Sequence, residues 1–336
     1  CRTKDHSEDL FHHAKRALID WFACTLPGGL EEPAVLMTKA LDEDIGRGKS
    51  TLLPQGGRAT TRTAALINGT ASHIIEFDDI YRDGLFHPGA PIISAALAVA
   101  EMTNSSGVDL LRAVSAGYEV ANSIAEAVNP HHYEWWHTTA TVGFFGASAS
   151  AAVLLGLNSE RTGHALATAG TMAAGLQQAF RADAMSKPIH SGRAAEGGVL
   201  SALLAKNGVT GAFDILEGER GFGNAMSANV DWTKSVDMLE NNHSITKITQ
   251  KNHAACGHVH AIIDALNHIR NTNEINPTKI KKIKIGSYQK TYEICHNPKP
   301  KTPYEAKFSS EYCAAMAIIK GGALRSDDFL KENLQD

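Results

Sequence analysis

Residues 140–157 read Ala-Thr-Val-Gly-Phe-Phe-Gly-Ala-Ser-Ala-Ser-Ala-Ala-Val-Leu-Leu-Gly-Leu, with no charge anywhere in the run. Length alone would let such a helix cross a membrane. More than half of the run is Ala, Gly, Ser or Thr, however, and these side chains supply little transfer energy. The better reading is a helix buried within a protein and packed closely by its neighbours. We therefore expect no membrane span.

The flanking sequence agrees with a helical protein. Strand signals are almost absent up to about residue 245. Ser7 can cap a helix whose apolar face runs Phe11, Ala14, Leu18, Trp21 and Phe22, and Pro27-Gly28-Gly29 stops it. Pro33 can open a second helix. Residues 46–57 are polar and loop-like. Residues 64–75, 91–102 and 109–128 read as helices, and Ser159 begins another. Residues 182–191 read as a loop before a helix over 193–206. The first clear strand signal is Lys279-Ile280-Lys281-Lys282-Ile283-Lys284-Ile285. The fold expected is mainly α: a large all-α domain over residues 1–245, then the start of a smaller α+β domain over 246–336.

Composition narrows the class. A chain of 336 residues has room for two domains. Its 43% hydrophobic and 20% charged residues exclude global disorder. A net charge of −4 offers no basic field for nucleic acid. Five scattered cysteines fit a reducing compartment, cytoplasmic or, in a eukaryote, the mitochondrial matrix. No signal peptide is visible. The chain begins mid-pattern at Cys1 and ends in a helix-like tail at Asp336, so both natural ends are expected to lie outside it.

The chemistry concentrates in residues 73–91. Glu76, Asp78 and Asp79 place three carboxylates directly after Ile74-Ile75. Buried carboxylates are costly unless they are paired or used. Taken alone, they read as a solvated loop with a helix cap. His87 follows, fixed in an extended conformation by Pro88. Other helix starts repeat the theme. His137 precedes the uncharged helix, Lys187 and His190 precede the helix at 193, and His258 and His260 begin one through Ile262 and Leu266. A helix N-terminus disfavours a cationic imidazole, so these positions suit neutral histidines that exchange protons. The free N–H groups there are ready anion sites, and Lys187 adds a point charge for a carboxylate. Glu76 or Asp79 and the histidines would then exchange protons with a bound di- or tricarboxylate.

Other cofactor chemistries lack their signatures. Cys256-Gly257-His258-Val259-His260 has no second ligand pair at zinc spacing, and no His-Glu-x-x-His occurs. No metal site is expected. Gly218-Glu219-Arg220-Gly221-Phe222-Gly223 lacks the strand–turn–helix setting of a dinucleotide loop.

These motifs resemble the MmgE/PrpD family, which contains 2-methylcitrate dehydratase, cis-aconitate decarboxylase and iminodisuccinate epimerase. The matching stretches include Asn68-Gly69-Thr70-Ala71-Ser72-His73, Glu76-Phe77-Asp78-Asp79, His87-Pro88-Gly89-Ala90-Pro91, His137-Thr138-Thr139, Lys187-Pro188-Ile189-His190-Ser191-Gly192, Cys256-Gly257-His258-Val259-His260 and Ser309-Ser310-Glu311-Tyr312. The resemblance implies a helical domain plus a lid-like α+β domain, a homodimer, no organic cofactor and no required metal. It implies a cleft between the domains lined by Glu76, His87, His137, Lys187, His260 and Tyr312. This chain departs at two positions: Glu76 stands where Asp is common, and Ile80 where Thr is common. The family chain continues beyond residue 336, so the lid-like domain is expected to be incomplete.

The expected function is a cofactor-independent lyase, a dehydratase or decarboxylase of a small polycarboxylate such as 2-methylcitrate or cis-aconitate. An epimerase or isomerase of a dicarboxylate would use the same proton exchange without losing a group. A non-catalytic acid-binding member or dimeric scaffold is the third alternative.

Overall fold

The computed structural model describes residues 8–181, 184–241 and 243–334. The chain divides into two units, one of residues 1–74 and 78–250 and the other of residues 75–77 and 251–336.

In the first unit, α1 (Glu8–Gly28) and α2 (Ala34–Ala40) lead into β1 (Ile45–Leu52) and β2 (Gly57–Ala59). The helices α3 (Thr61–Ile74), α4 (Gly89–Thr103), α5 (Gly107–Val128), α6 (Thr138–Leu154), α7 (Ser159–Met172) and α8 (Ser186–Lys206) follow. The short α9 (Phe222–Met226) and α10 (Trp232–Asn241) complete the unit. The Ser7 cap expected for α1 lies outside the described residues. The polar stretch expected to be a loop instead pairs as an antiparallel hairpin, with Ser50 opposite Ala59 and Leu52 opposite Gly57. Its tie to the helices is polar: Thr51 donates from both N–H and hydroxyl to the Glu101 carboxylate. A period-two apolar pattern was therefore never required.

The uncharged run is α6. Every residue from Thr138 to Ala152 is buried, and α4, α5, α7 and α8 pack around it. Phe144 and Phe145 are fully enclosed, each worth roughly 1.5–3 kcal/mol of burial. Small residues let the backbones approach. A Cβ on Gly198 would lie 2.4 Å from Ala147 Cβ, and one on Gly146 2.7 Å from Ile92 Cδ1. Among the described residues no helix is long and apolar enough to cross a membrane.

The α3–α8 crossing is equally close. A Cβ on Gly192 would meet the Leu66 carbonyl oxygen at 2.1 Å, and Ser191 Oγ donates to the Gly69 carbonyl at 2.7 Å. α8 begins at Ser186, earlier than expected, so Lys187, Pro188 and His190 belong to its first turns. Proline is tolerated there because its missing N–H belongs to the first turn, which has no helical partner.

In the second unit, α11 (His260–Thr272), α12 (Gln289–Cys295), α13 (Pro303–Lys307) and α14 (Ser310–Ile319) surround a core of Val259, Ile263, Cys295, Cys313, Leu324 and Phe329. Residues 75–77 belong to it: Lys251 Nζ donates to the Glu76 carbonyl at 2.8 Å, Lys307 Nζ donates to the Ile75 carbonyl at 3.1 Å, and Phe77 packs on that core. The strand expected at Lys279–Ile285 is not formed, and no strand occurs among this unit's described residues. Alternation alone does not make a strand; it needs a neighbour to share a hydrogen-bond ladder. The molecule is mainly α. Cys24, Cys256, Cys295 and Cys313 are buried, and no disulfide forms among the described residues.

Candidate active site

The acidic cluster is buried, with Glu76, Asp78 and Asp79 each 3% exposed or less. This rules out the solvated-loop reading. The His73 Nδ1–H, at the end of α3, donates to Asp78 Oδ2 across 2.7 Å. A carboxylate only accepts, so this nitrogen carries the proton. His87 Nδ1 lies 3.4 Å from the same oxygen and donates to the Asp79 backbone carbonyl at 2.9 Å. Neutral His87 therefore carries its lone pair on Nε2. Its backbone N–H donates to Thr139 Oγ1 at 3.3 Å, fastening the loop to the first turn of α6.

The cluster continues through α6 and α8. The His73 ring stacks on His137 with centroids 5.5 Å apart. His137 Nδ1 stands 3.0 Å from His190 Nδ1, so one ring donates and the other accepts. Four imidazoles thus run His87, His73, His137, His190. Burial, then the neighbouring His73 and His190, holds His137 well below the ordinary histidine range. Burial, then the Lys187 ammonium, lowers His190 to about 4. Both rings are neutral at pH 7, as expected, with burial as the largest cause where the sequence had pointed to the helix dipole. Lys187 is 2% exposed, not a surface loop residue.

The helix ends separate into two kinds. α5 and α7 are capped by the Ser106 and Asn158 side chains. The N-cap residues of α4, α6 and α8, which are Pro88, His137 and Met185, give no side-chain cap. At α4 the Asp79 carboxylate takes the place of a cap: its Oδ1 accepts from Gly89 N–H at 2.9 Å and its Oδ2 from Tyr118 O–H at 2.7 Å. Asp79, expected to bind substrate, has both oxygens engaged within the fold and orients the site from behind. α6 and α8 keep polar N-termini beside Lys187, His137 and His190, suited to anions.

Three candidate residues lie in the second unit. Glu76 holds a left-handed φ of 59°, which Asp and Asn adopt more readily than Glu. His260 opens α11 and donates from Nε2 to the Ala255 carbonyl at 3.1 Å; burial, then Lys251, lowers it to about 4. The Tyr312 hydroxyl donates to the Asp328 carbonyl at 2.6 Å, and burial raises its pKa.

From sequence, Asp78 counts only as one carboxylate of the acidic cluster and His73 only as part of a family motif, and neither is given a role. The available signal was a histidine one helical turn before an acidic cluster. Their ligand atoms and that of His87 lie within 4.8 Å of one another, close enough for a metal ion. Both Nδ1 atoms, however, carry protons given to oxygen acceptors. A metal there would have to displace those protons, so the arrangement fits a hydrogen-bonded relay better than a ligand set.

The first unit thus brings together a line of four imidazoles, two of them (His137 and His190) neutral at pH 7, with Lys187 and two helix N-termini that have no side-chain cap. Comparison with known families makes the membership specific. Residues 1–235 match the MmgE/PrpD N-terminal domain and residues 253–336 the MmgE/PrpD C-terminal domain, so the chain belongs to the MmgE/PrpD family. It is 31% identical over 273 residues to human cis-aconitate decarboxylase, covering 77% of this chain and 55% of that protein. It is 27% identical over 281 residues to a cis-aconitate decarboxylase-like protein of Aspergillus oryzae, covering 79% of this chain and 58% of that protein. The mouse cis-aconitate decarboxylase is 29% identical over 276 residues. The chain thus spans little more than half the length of these relatives.

Proposed function

We propose that the protein is a cofactor-independent lyase that decarboxylates a small unsaturated tricarboxylate of the cis-aconitate kind. The observation that carries this reading is the imidazole cluster, with His137 and His190 neutral at pH 7, beside Lys187 and the N-termini of α6 and α8. The named relatives support the choice of reaction.

The chemistry asks little beyond charge placement and one proton. A carboxylate one carbon removed from a double bond leaves as CO2 when its C–C bond breaks. The bonding pair forms a new double bond, and the old double-bond pair takes a proton at its far carbon. Lys187 and the α6 and α8 N–H groups hold the remaining carboxylates, where charge accumulates in the transition state. His87 Nε2, which carries the lone pair, would take a proton from solvent and pass it to that carbon, with His137 as its partner in the transfer. A dehydration would use the same groups differently, one base removing a carbon-bound proton and one acid protonating the departing hydroxide.

The test is turnover of cis-aconitate, 2-methylcitrate and iminodisuccinate followed by NMR in deuterated water, with EDTA present. Loss of CO2 from cis-aconitate is expected. Water loss from 2-methylcitrate alone would make the protein a dehydratase. Deuterium exchange without loss of a group would make it an epimerase, and inertness toward all three would leave an acid-binding role.

A further inference from the structure

Asp78 and His73 belong to the cluster, and the proposed reaction gives neither a role. Asp78 is 2% exposed and His73 has no exposure at all. Asp78 Oδ2 accepts the His73 Nδ1 proton at 2.7 Å and faces His87 Nδ1 at 3.4 Å. The His73 ring meets His87 edge to face, with centroids 5.1 Å apart, and stacks on His137. His73 therefore touches both rings assigned to proton delivery, and Asp78 holds His73 while facing His87. The groups facing His87 are Asp78 and Asp79 from its own loop, His73 from α3 and His137 at the start of α6. Tyr118 of α5 stands behind Asp79.

We propose that Asp78 and His73 are positioning residues: Asp78 locks His73 through its Nδ1 proton, and the locked ring fixes the planes of His87 and His137. The inference rests on the proposed roles of those two histidines. A carboxylate partner fixes both the tautomer and the tilt of an imidazole. A ring held in one orientation between two others leaves them fewer alternatives. Asp78 also places a negative charge against the Nδ1–H edge of His87, so Nε2 is the nitrogen turned to the substrate.

Two measurements separate this inference from the reaction it rests on. Histidine 15N NMR of the wild-type protein needs no substrate. His73 and His87 are expected as the Nδ1–H tautomers, His73 with a downfield, slowly exchanging Nδ1 proton. Asp78→Asn and His73→Gln are then compared with wild type. In Asp78→Asn the downfield signal should vanish while circular dichroism stays unchanged. On the active substrate, kcat should fall roughly 10–100-fold in both variants, the range for removing an outer partner of a functional histidine, with KM within about threefold. Finding His73 or His87 as the Nε2–H tautomer in the wild type would overturn the proposal, whatever the substrate. So would a folded variant of either kind with unchanged kcat.

Discussion

Residue by residue, the proposed reaction needs two groups that move protons and one that binds charge. His87 and His137 differ in exposure and partners, yet both belong to the cluster. Replacing either with Gln keeps polarity and removes the exchangeable proton. We expect kcat to fall roughly a hundredfold or more while KM changes little. A fall below about threefold, measured by steady-state kinetics, would return that residue to a structural role. Lys187→Met tests charge binding. The side chain keeps its length and loses its ammonium, and kcat/KM should drop by about 2–4 kcal/mol, the cost of an unmade charged hydrogen bond at a buried site. Lys187→Arg should recover only part, because a planar fork does not replace a compact ammonium. Full kcat/KM in a folded Lys187→Met protein would show that the substrate carboxylate lies elsewhere. The residue patterns pointed to His87, His137, His190 and Lys187 because each lies at or beside a helix start. They could not reveal that Asp79 is consumed by Tyr118 and Gly89, partners far along the chain or in the next turn. Nor did they reveal the His73–Asp78 pair, which depends on how the chain folds back after α3.

For the helices, glycine decides where the site forms. The approach of α3 to α8 at Gly69 and Gly192 brings His73, at the end of one helix, toward Lys187 and His190, at the start of the other. Gly192→Ala would place a methyl 2.1 Å from the Leu66 carbonyl oxygen and 2.2 Å from Thr70 Oγ1. Neither helix can yield without moving its backbone, so we expect a loss of about 2–3 kcal/mol by urea unfolding. The α3–α8 alignment should loosen with it, and kcat should fall although no catalytic atom has changed. An unchanged unfolding midpoint would contradict the packing argument. α6 was legible from its sequence because an uncharged helix can only be buried. The hairpin at residues 45–59 was not, because Thr51 secures it through Glu101 rather than by an alternating apolar face. Residues 279–285 show the converse, an alternating pattern with no ladder to join.

At the scale of the whole molecule, burying neutral histidines makes stability depend on pH. His132 and His190 are lowered to about 4, and His137 is held well below the ordinary histidine range, each chiefly by burial. Unfolded, these rings would bind protons near pH 6.5. Between pH 6.5 and 4 the unfolded chain therefore holds more protons than the folded one, and stability rises with pH. It should be fully present above pH 6.5 and decline on acidification through that window, beginning before most carboxylates titrate. Urea midpoints measured from pH 7.5 down to 5 should fall steadily, and a flat profile would mean that the rings bind protons as readily in the folded chain as in the unfolded one.

The central claim is that proton delivery by the chain's own imidazoles, without a metal, completes the loss of CO2. Its most direct test is a deuterium count. Cis-aconitate is turned over in deuterated water with excess chelator, and product and CO2 are quantified together by NMR and gas analysis. The account requires one deuteron at a single carbon of the product for each CO2 released, at a rate unchanged by the chelator and reduced in parallel by His87→Gln and His137→Gln. Activity that vanishes on chelation and returns with one equivalent of metal would contradict it, as would product formed at the full rate by both histidine variants.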